Sequence, residues 1–574
     1  MAGTASVVAH LGTHTAVVQA ALERASLDQI VPRLWARDHT LWKSDPAEIA
    51  NRLGWLTLVE GPTLNPSVLE DIQSLVAREG YRDIVLLGMG GSSLGPEVLR
   101  LTFGSAKGAP RLWVLDTTVP GAIRTVTRAI PPANTLFLVA SKSGGTIEVL
   151  SLLAHFKTLV HNAKGNRGGG QFVAITDPGT SLVTLAKQEG FARTVLNPPD
   201  IGGRYSVLSY FGLVPAALIG IDTARLMERA ATMGRACREE ARLDQNPGAA
   251  LGVILGSLAR QGRNKVTILT SPRLSSYGLW AEQLLAESTG KEGTGLIPIA
   301  DEPALAAAAY GNDRVFVALR LKGDVNSDLD KQVRTLIKAG HPLVELSLAD
   351  RYDLGAEFFR WEFATAIAGH LLNIHPFDQP NVQESKENTG RILAGIKTTG
   401  ALPAVTATDP RRAARQLLGH HGLGSYLGIL AYMPPSRGSD LAIRRLRRIL
   451  ATQTRVATTA GYGPRYLHST GQVHKGGPPT GLFLLLMETP KPDLPIPGQP
   501  YTFGMLAQAQ AIGDLQSLQA HGRPVVHVRL GTDPLHTLRL LSASASASPP
   551  TRGARRAPRT RAGRAGPAGR RRPK

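Results

Sequence analysis

The chain has 574 residues, 43% of them hydrophobic and 19% charged, enough for two to four domains and an ample apolar core. A single cysteine, Cys237, excludes an internal disulfide and a cysteine-cluster metal site. No run reaches the ~18 consecutive apolar residues of a membrane span, and MAGTASVVAHLGTHTAVV lacks the basic start and long apolar stretch of a secretory signal. A soluble, cytoplasmic protein is expected.

The net charge of +21 is concentrated at one end. The last 24 residues, Thr551 to Lys574, carry nine Arg, one Lys and no acid, leaving +11 for the rest. SASASASPP precedes them, and Pro, Gly and Ala fill the remainder, so residues 541–574 are expected to be a disordered tail. Its contacts with nucleic acid would be non-specific. The basic body suits an anionic substrate without demanding one.

In chain order, residues 1–60 read as a helical segment with an aromatic cluster near Trp35 and Trp42. From Asp83 the texture changes to short apolar runs ending in Gly, Ser or Asp: DIVLLG, LWVLD, TLFLVAS and QFVAITD. Helical stretches such as PEVLRLTF and IEVLSLLAHFKTLV separate them, a rhythm that predicts a parallel sheet covered on both faces over 61–240. The rhythm recurs over 241–400 with NKVTILTS, VFVALRL and PLVELSL as strands, and with LSSYGLWAEQLLAEST, DLDKQVRTLIKAG and EFFRWEFATAIAGHLL as helices. A smaller α/β block over 401–540 contains LGILAYM, RVATTA, LFLLLME and VVHVRL, with helices at DLAIRRLRRILATQ and MLAQAQAIGDLQSL. The fold class is therefore α/β: two tandem doubly wound sheets, a third smaller block and a basic tail.

Ligands of open parallel sheets bind beyond the carboxyl ends of the strands. After DIVLLG comes Gly88-Met89-Gly90-Gly91-Ser92-Ser93-Leu94-Gly95-Pro96, where glycines admit close backbone approach and a helix start favours negative charge. The loop fits neither GxGxxG nor GxxxxGK[ST], so no dinucleotide or ATP site is read. TLFLVA ends in Ser141-Lys142-Ser143-Gly144-Gly145-Thr146, hydroxyls and a lysine suited to a phosphate monoester. Alone it equally fits a serine-rich helix cap; two such loops in one sheet favour phosphate. Downstream, Gly202-Gly203-Arg204-Tyr205-Ser206 places an always-charged guanidinium after two glycines. Glu287 ends an apolar helix in AESTGK, and FDQPNVQESK, Phe377 to Lys386, opens another helix.

The order GxGGS, SKSGGT, GGRYS, AESTGK, FDQPNVQESK resembles the phosphoglucose isomerase family over roughly residues 60–390. The resemblance implies two sugar-isomerase (SIS) domains, each a five-stranded parallel sheet wrapped by helices. It implies that Gly91, Ser92, Ser141, Lys142, Ser143 and Thr146 hold the substrate and its phosphate, with Gln379 contacting the sugar. Arg204 then stabilises an enediolate, Glu287 shuttles a proton between C2 and C1, and Lys386 assists ring opening. The substrate is a hexose phosphate, and the reaction needs no cofactor or metal. Glucose 6-phosphate and fructose 6-phosphate are the expected pair. Competing readings are a non-catalytic SIS-domain sensor and an isomerase of another hexose phosphate.

One departure concerns the ring-opening histidine. The family's TNGQH-like stretch is missing between AESTGK and FDQ, where only His341, His370 and His375 occur. His468-Ser469-Thr470-Gly471-Gln472-Val473-His474-Lys475 lies beyond Lys386 instead, and resembles the isomerase half of bacterial transaldolase/phosphoglucose isomerase fusions. No transaldolase barrel is expected, since about 60 residues precede the isomerase region and a (β/α)₈ barrel needs ~200. His468 and His474 are the candidates, with His474 favoured because it follows the Gly-Gln pair. Family members are commonly homodimers with composite sites, whereas the third block here offers a histidine in cis.

Overall fold

The structure, a computed structural model, describes residues 7–547 apart from residue 62 and residues 239–241. It opens with β1 (Val7–His10), so the N-terminal segment is not purely helical: β1 pairs antiparallel with a strand more than 300 residues away. The first sheet comprises β2 (Asp83–Gly88), β3 (Arg111–Leu115), β4 (Thr135–Ala140), β5 (Phe172–Thr176) and β6 (Arg193–Leu196), all parallel in the order β3-β2-β4-β5-β6. The second contains β7 (Lys265–Thr270), β8 (Ile297–Ile299), β9 (Arg314–Leu321) and β10 (Leu343–Leu348) in the order β1-β10-β9-β7-β8. The third joins β11 (Tyr426–Tyr432), β12 (Ala457–Tyr462), β13 (Gly481–Met487) and β14 (Val525–Arg529) in the parallel order β12-β11-β13-β14.

Two tandem α/β sheets and a smaller third are thus present, as their apolar runs require. In β2 alternate residues serve opposite faces: Ile84 and Leu86 enter one core, Val85 and Leu87 another. The second of those cores continues into the third sheet through Tyr426, Leu430, Phe483 and Leu485, so the first and third sheets share apolar packing. Among the described residues no helix is long and apolar enough to cross a membrane.

The strands that patterning misses are short or poorly apolar. Arg193–Leu196 buries only Val195 of its four residues, and Ile297–Ile299 is three residues around a proline. At the other end, residues 541–547, expected to belong to the tail, are helical. Pro534–Ala547 is one helix, in which Leu538, Leu541 and Ala545 recur at helical spacing and are buried against the third sheet. The Arg-rich run itself lies outside the described residues.

A buried polar seam ties the second sheet to the third. Arg314 forks onto Glu302 at 2.8 and 3.1 Å, and Glu302 accepts from the backbone and hydroxyl of Thr458 at 2.8 and 3.0 Å. Arg447 donates to the carbonyls of Ala300, Asp301 and Thr458. Glu282 borders this seam, 3.4 Å from the Thr459 hydroxyl, and burial pushes its carboxyl up to about 7. A raised folded-state value stabilises the fold below the ordinary carboxylate range, and that stability is lost as pH climbs through about 7. The loss amounts to about 3 kcal/mol at most. Glu282→Gln should therefore flatten the fall in melting temperature between pH 5 and pH 8, measured against wild type by thermal denaturation. Parallel curves for the two proteins would remove Glu282 from that role.

Candidate active site

Three loops from the first sheet and one helix from the second converge with the start of the Pro380–Thr399 helix. The turn Gly90–Ser92 follows β2 and packs onto the turn Gly203–Tyr205. A Cβ on Gly91 would collide with the carbonyl oxygen of Gly203, so Gly91 is needed for backbone contact between loops. Gly90, at a φ of +54°, faces the Gln283 amide and the His468 backbone. Ser92 is buried in the same turn.

That contact delivers Arg204, 2% exposed, to the end of the Tyr277–Thr289 helix. Its guanidinium donates to Ser288 Oγ at 2.8 Å, Gln379 Oε1 at 2.7 Å, and the carbonyls of Pro376 and Asp378 at 2.7 and 3.0 Å. The Glu287 carboxylate lies 3.6 Å from Arg204 Nη1 and accepts from Gln283 Nε2 at 3.3 Å. Burial pushes the Glu287 carboxyl up, opposed by Arg204 and by His468. Lys291 braces the FDQ segment by donating to His375 O, Asp378 O and Asp378 Oδ1 at 2.5–2.7 Å. Burial and then Arg204 bring its ammonium down to about 8.

Beside this cluster is a cavity of about 190 Å³. Its walls include Ser143, Gly145 and Thr146 on one side, Ser385 and Lys386 on another, and Glu148, His468 and Gln510 at the back. Thr146 caps the Ile147–Lys164 helix without a side-chain cap hydrogen bond, so the helix start contributes donors and a favourable dipole beside the Ser143 and Thr146 hydroxyls. Ser141 supports this loop from behind, its hydroxyl 2.8 Å from Thr146 Oγ1. Lys142 does not join it. Its ammonium turns to Asp177 and to Pro199 O, because the buried Asp177 carboxylate offers a stronger partner than open solvent. Glu287, Arg204 and Gln379 are not in the cavity wall, but Glu287 feels the charge of His468, which is.

The two candidate histidines separate cleanly. His468 lines the cavity, and its Nε2 is 2.9 Å from Glu148 Oε1. Burial pushes the Glu148 carboxyl up, but the charge and hydrogen bond of His468, aided by Lys386, hold it below its ordinary value. His474, the one favoured from its neighbours, is placed elsewhere. It is 2% exposed, within ring contact of Tyr426 and Phe483, with Nδ1 3.0 Å from the Tyr426 hydroxyl. Burial holds it well below the usual histidine range, as a neutral core residue. The Gly-Gln pair serves packing: Gln472 donates to Gly290 O at 3.0 Å and Asn381 Oδ1 at 2.8 Å, knitting the site's rim.

Sequence reasoning passed over Glu148, Gln283, Ser288, Lys291 and Gln510. Glu148 is two residues past Thr146, and a carboxylate at a helix start was a readable signal. Gln510 carried none, sitting within an ordinary helix.

The family description for phosphoglucose isomerase matches residues 75–298. A glucose-6-phosphate isomerase of Symbiobacterium thermophilum is 30% identical over 397 residues, spanning 59% of this chain and 86% of its relative. The chain belongs to the phosphoglucose isomerase family. Another glucose-6-phosphate isomerase, of Rubrobacter xylanophilus, is 29% identical, covering 65% of this chain and 94% of the relative. Among solved structures, a hypothetical protein of Thermus thermophilus superposes with a TM-score of 0.58 at 25% identity, over 69% of this chain and 100% of that one. A glucose-6-phosphate isomerase from Chlamydia trachomatis shares the fold, with a TM-score of 0.53 at 18% identity, over 67% and 86%. The matched 75–298 stretch holds Ser143, Thr146, Arg204 and Glu287, while Gln379, Lys386, His468 and Gln510 lie beyond it.

Proposed function

We propose that this chain interconverts glucose 6-phosphate and fructose 6-phosphate, with Glu287 as the proton carrier. The observation that carries the reading is the buried Arg204–Glu287 pair, 3.6 Å apart, next to a cavity that holds both a hydroxyl-lined helix start and the His468–Lys386 pair. The phosphate sits against Ser143, Thr146 and the helix N-terminus, and the sugar extends past His468 toward Glu287. Ring opening breaks the C1–O5 bond. His468, steadied by Glu148, gives a proton to O5 and recovers one from the C1 hydroxyl, with the Lys386 ammonium facing the developing charge.

In the open chain Glu287 removes the C2 proton as the C1 carbonyl becomes an enediolate oxygen. Arg204 stabilises that oxygen, the proton of the C2 hydroxyl passes to the C1 oxygen, and Glu287 returns its own proton to C1. No atom or electron is gained overall, and the carbonyl passes from C1 to C2. A raised carboxyl value suits a group that must both take and release a proton near neutrality. Names carried by the relatives support glucose 6-phosphate as the substrate.

The test is a coupled assay offering fructose, mannose and glucosamine 6-phosphates to the purified chain. Turnover with fructose 6-phosphate at least tenfold above the others in kcat/KM is expected. A preference for mannose or glucosamine 6-phosphate replaces the substrate, and binding without turnover of any of them makes the protein a sensor.

A further inference from the structure

His468 and Glu148 come from different parts of the chain. His468 follows β12 in the third block, and Glu148 opens the Ile147–Lys164 helix of the first sheet. A 2.9 Å contact across that seam needs both partners held in place. His468 has support nearby: Arg465 forks onto Asp116 at 2.7 and 2.8 Å, while Tyr466 and Lys475 both donate to the buried Asp514 at 2.7 Å. Among the described residues Glu148 has one further side-chain donor. Gln510 Nε2, on the Phe503–Ala520 helix, reaches the same Glu148 oxygen at 2.7 Å. The Gln510 amide is 2% exposed and is itself gripped, its Oε1 accepting from Thr118 Oγ1 at 2.7 Å; Thr118 is fully buried.

The direction of this chain is fixed by chemistry. An ionised carboxylate only accepts, so the Gln510 atom facing Glu148 is the amide nitrogen. Its oxygen then faces Thr118, whose hydroxyl must donate. The Glu148 charge thus sets which way the amide turns, since its oxygen there would meet a second acceptor, and Thr118 anchors the amide oxygen in that setting. We infer that Gln510, anchored by Thr118, is a positioning residue of the active site, fixing Glu148 so that His468 presents Nδ1 to the cavity. Among the described residues the His468 ring bonds only through Nε2, and Gln510 lines the same cavity. Thr118 and Glu148 belong to the first sheet, Gln510 and His468 to the third block, so the relay also couples the seam between them to the geometry of the histidine.

The inference rests on the isomerase reading, but its test has a readout that does not. In the wild type, the Nε2 proton shared with Glu148 should give a resolved far-downfield proton resonance, assigned by its loss in His468→Gln. Thr118→Val is close to isosteric and removes only the hydroxyl donor; Gln510→Leu removes the amide. Both should broaden or shift that resonance and lower kcat about 3- to 10-fold with KM little changed, the size of one lost orienting hydrogen bond. Thr118→Ser should restore both signals. The inference is overturned if folded Thr118→Val keeps the wild-type resonance and kcat, or if Thr118→Ser behaves like Thr118→Val. Should Gln510→Leu fail to fold, the two Thr118 variants decide alone. Loss of the resonance in a protein without isomerase activity would uphold the relay and sink the assigned reaction.

Discussion

Glu287→Gln is expected to lower kcat for fructose 6-phosphate by about 10²- to 10⁴-fold, the usual worth of a positioned general base. The amide fills the same volume and can keep the 3.3 Å contact with Gln283, so little else should change. It cannot accept the C2 proton. Because burial already penalises the ionised carboxyl, the neutral amide should not cost stability at pH 7, and the melting temperature should equal or exceed that of wild type. KM should stay within a few-fold, since the substitution leaves Ser143, Thr146 and the helix start, the proposed phosphate contacts, untouched. Solvent deuterium wash-in at C2 provides a second measure and should disappear with turnover. Retention of a tenth of the wild-type kcat would falsify the assignment of Glu287 as proton carrier.

Arg204→Lys is expected to be nearly as damaging, by about 10²- to 10³-fold in kcat, even though the charge is kept. Arginine here is used for its shape. One planar fork satisfies Ser288 Oγ, Gln379 Oε1 and two main-chain carbonyls while standing 3.6 Å from Glu287. An ammonium has three donors on a shorter stem and cannot span that set. At least one buried acceptor would be left bare, at about 1–3 kcal/mol, so the melting temperature should fall as well. The pairing of lost turnover with lost stability distinguishes Arg204 from Glu287. Wild-type kcat in Arg204→Lys would show that a simple point charge suffices and that the fork is structural only.

The contrast between the two variants follows from what each group does in the unliganded site. Arg204 is satisfied on every side, so removing it breaks an existing network. Burial penalises the Glu287 carboxylate, so replacing it by a neutral amide relieves a cost instead of breaking a network.

Much of this protein was legible from its residues in order. Most strands of the three sheets announce themselves because a parallel strand buried on both faces must be apolar throughout, as in DIVLLG and TLFLVA. The loops at their carboxyl ends carry Ser143, Thr146 and Arg204, and an apolar helix carries Glu287, in local patterns whose residue types already limit the chemistry. What local pattern left open was settled by packing. Lys142 stands in a run of hydroxyl-bearing residues suited to a phosphate, yet Asp177 claims it, 35 residues away in sequence. His474 has the better-looking neighbours, but His468 reaches the cavity, because a few residues of turn and helix direct one ring into the core with Tyr426 and the other toward Glu148. Gln510 and Thr118 meet across 392 positions. Side-chain type and strand periodicity are properties of a short stretch, whereas a partner across a domain seam depends on how whole sheets dock, and docking leaves no local trace in the order of residues.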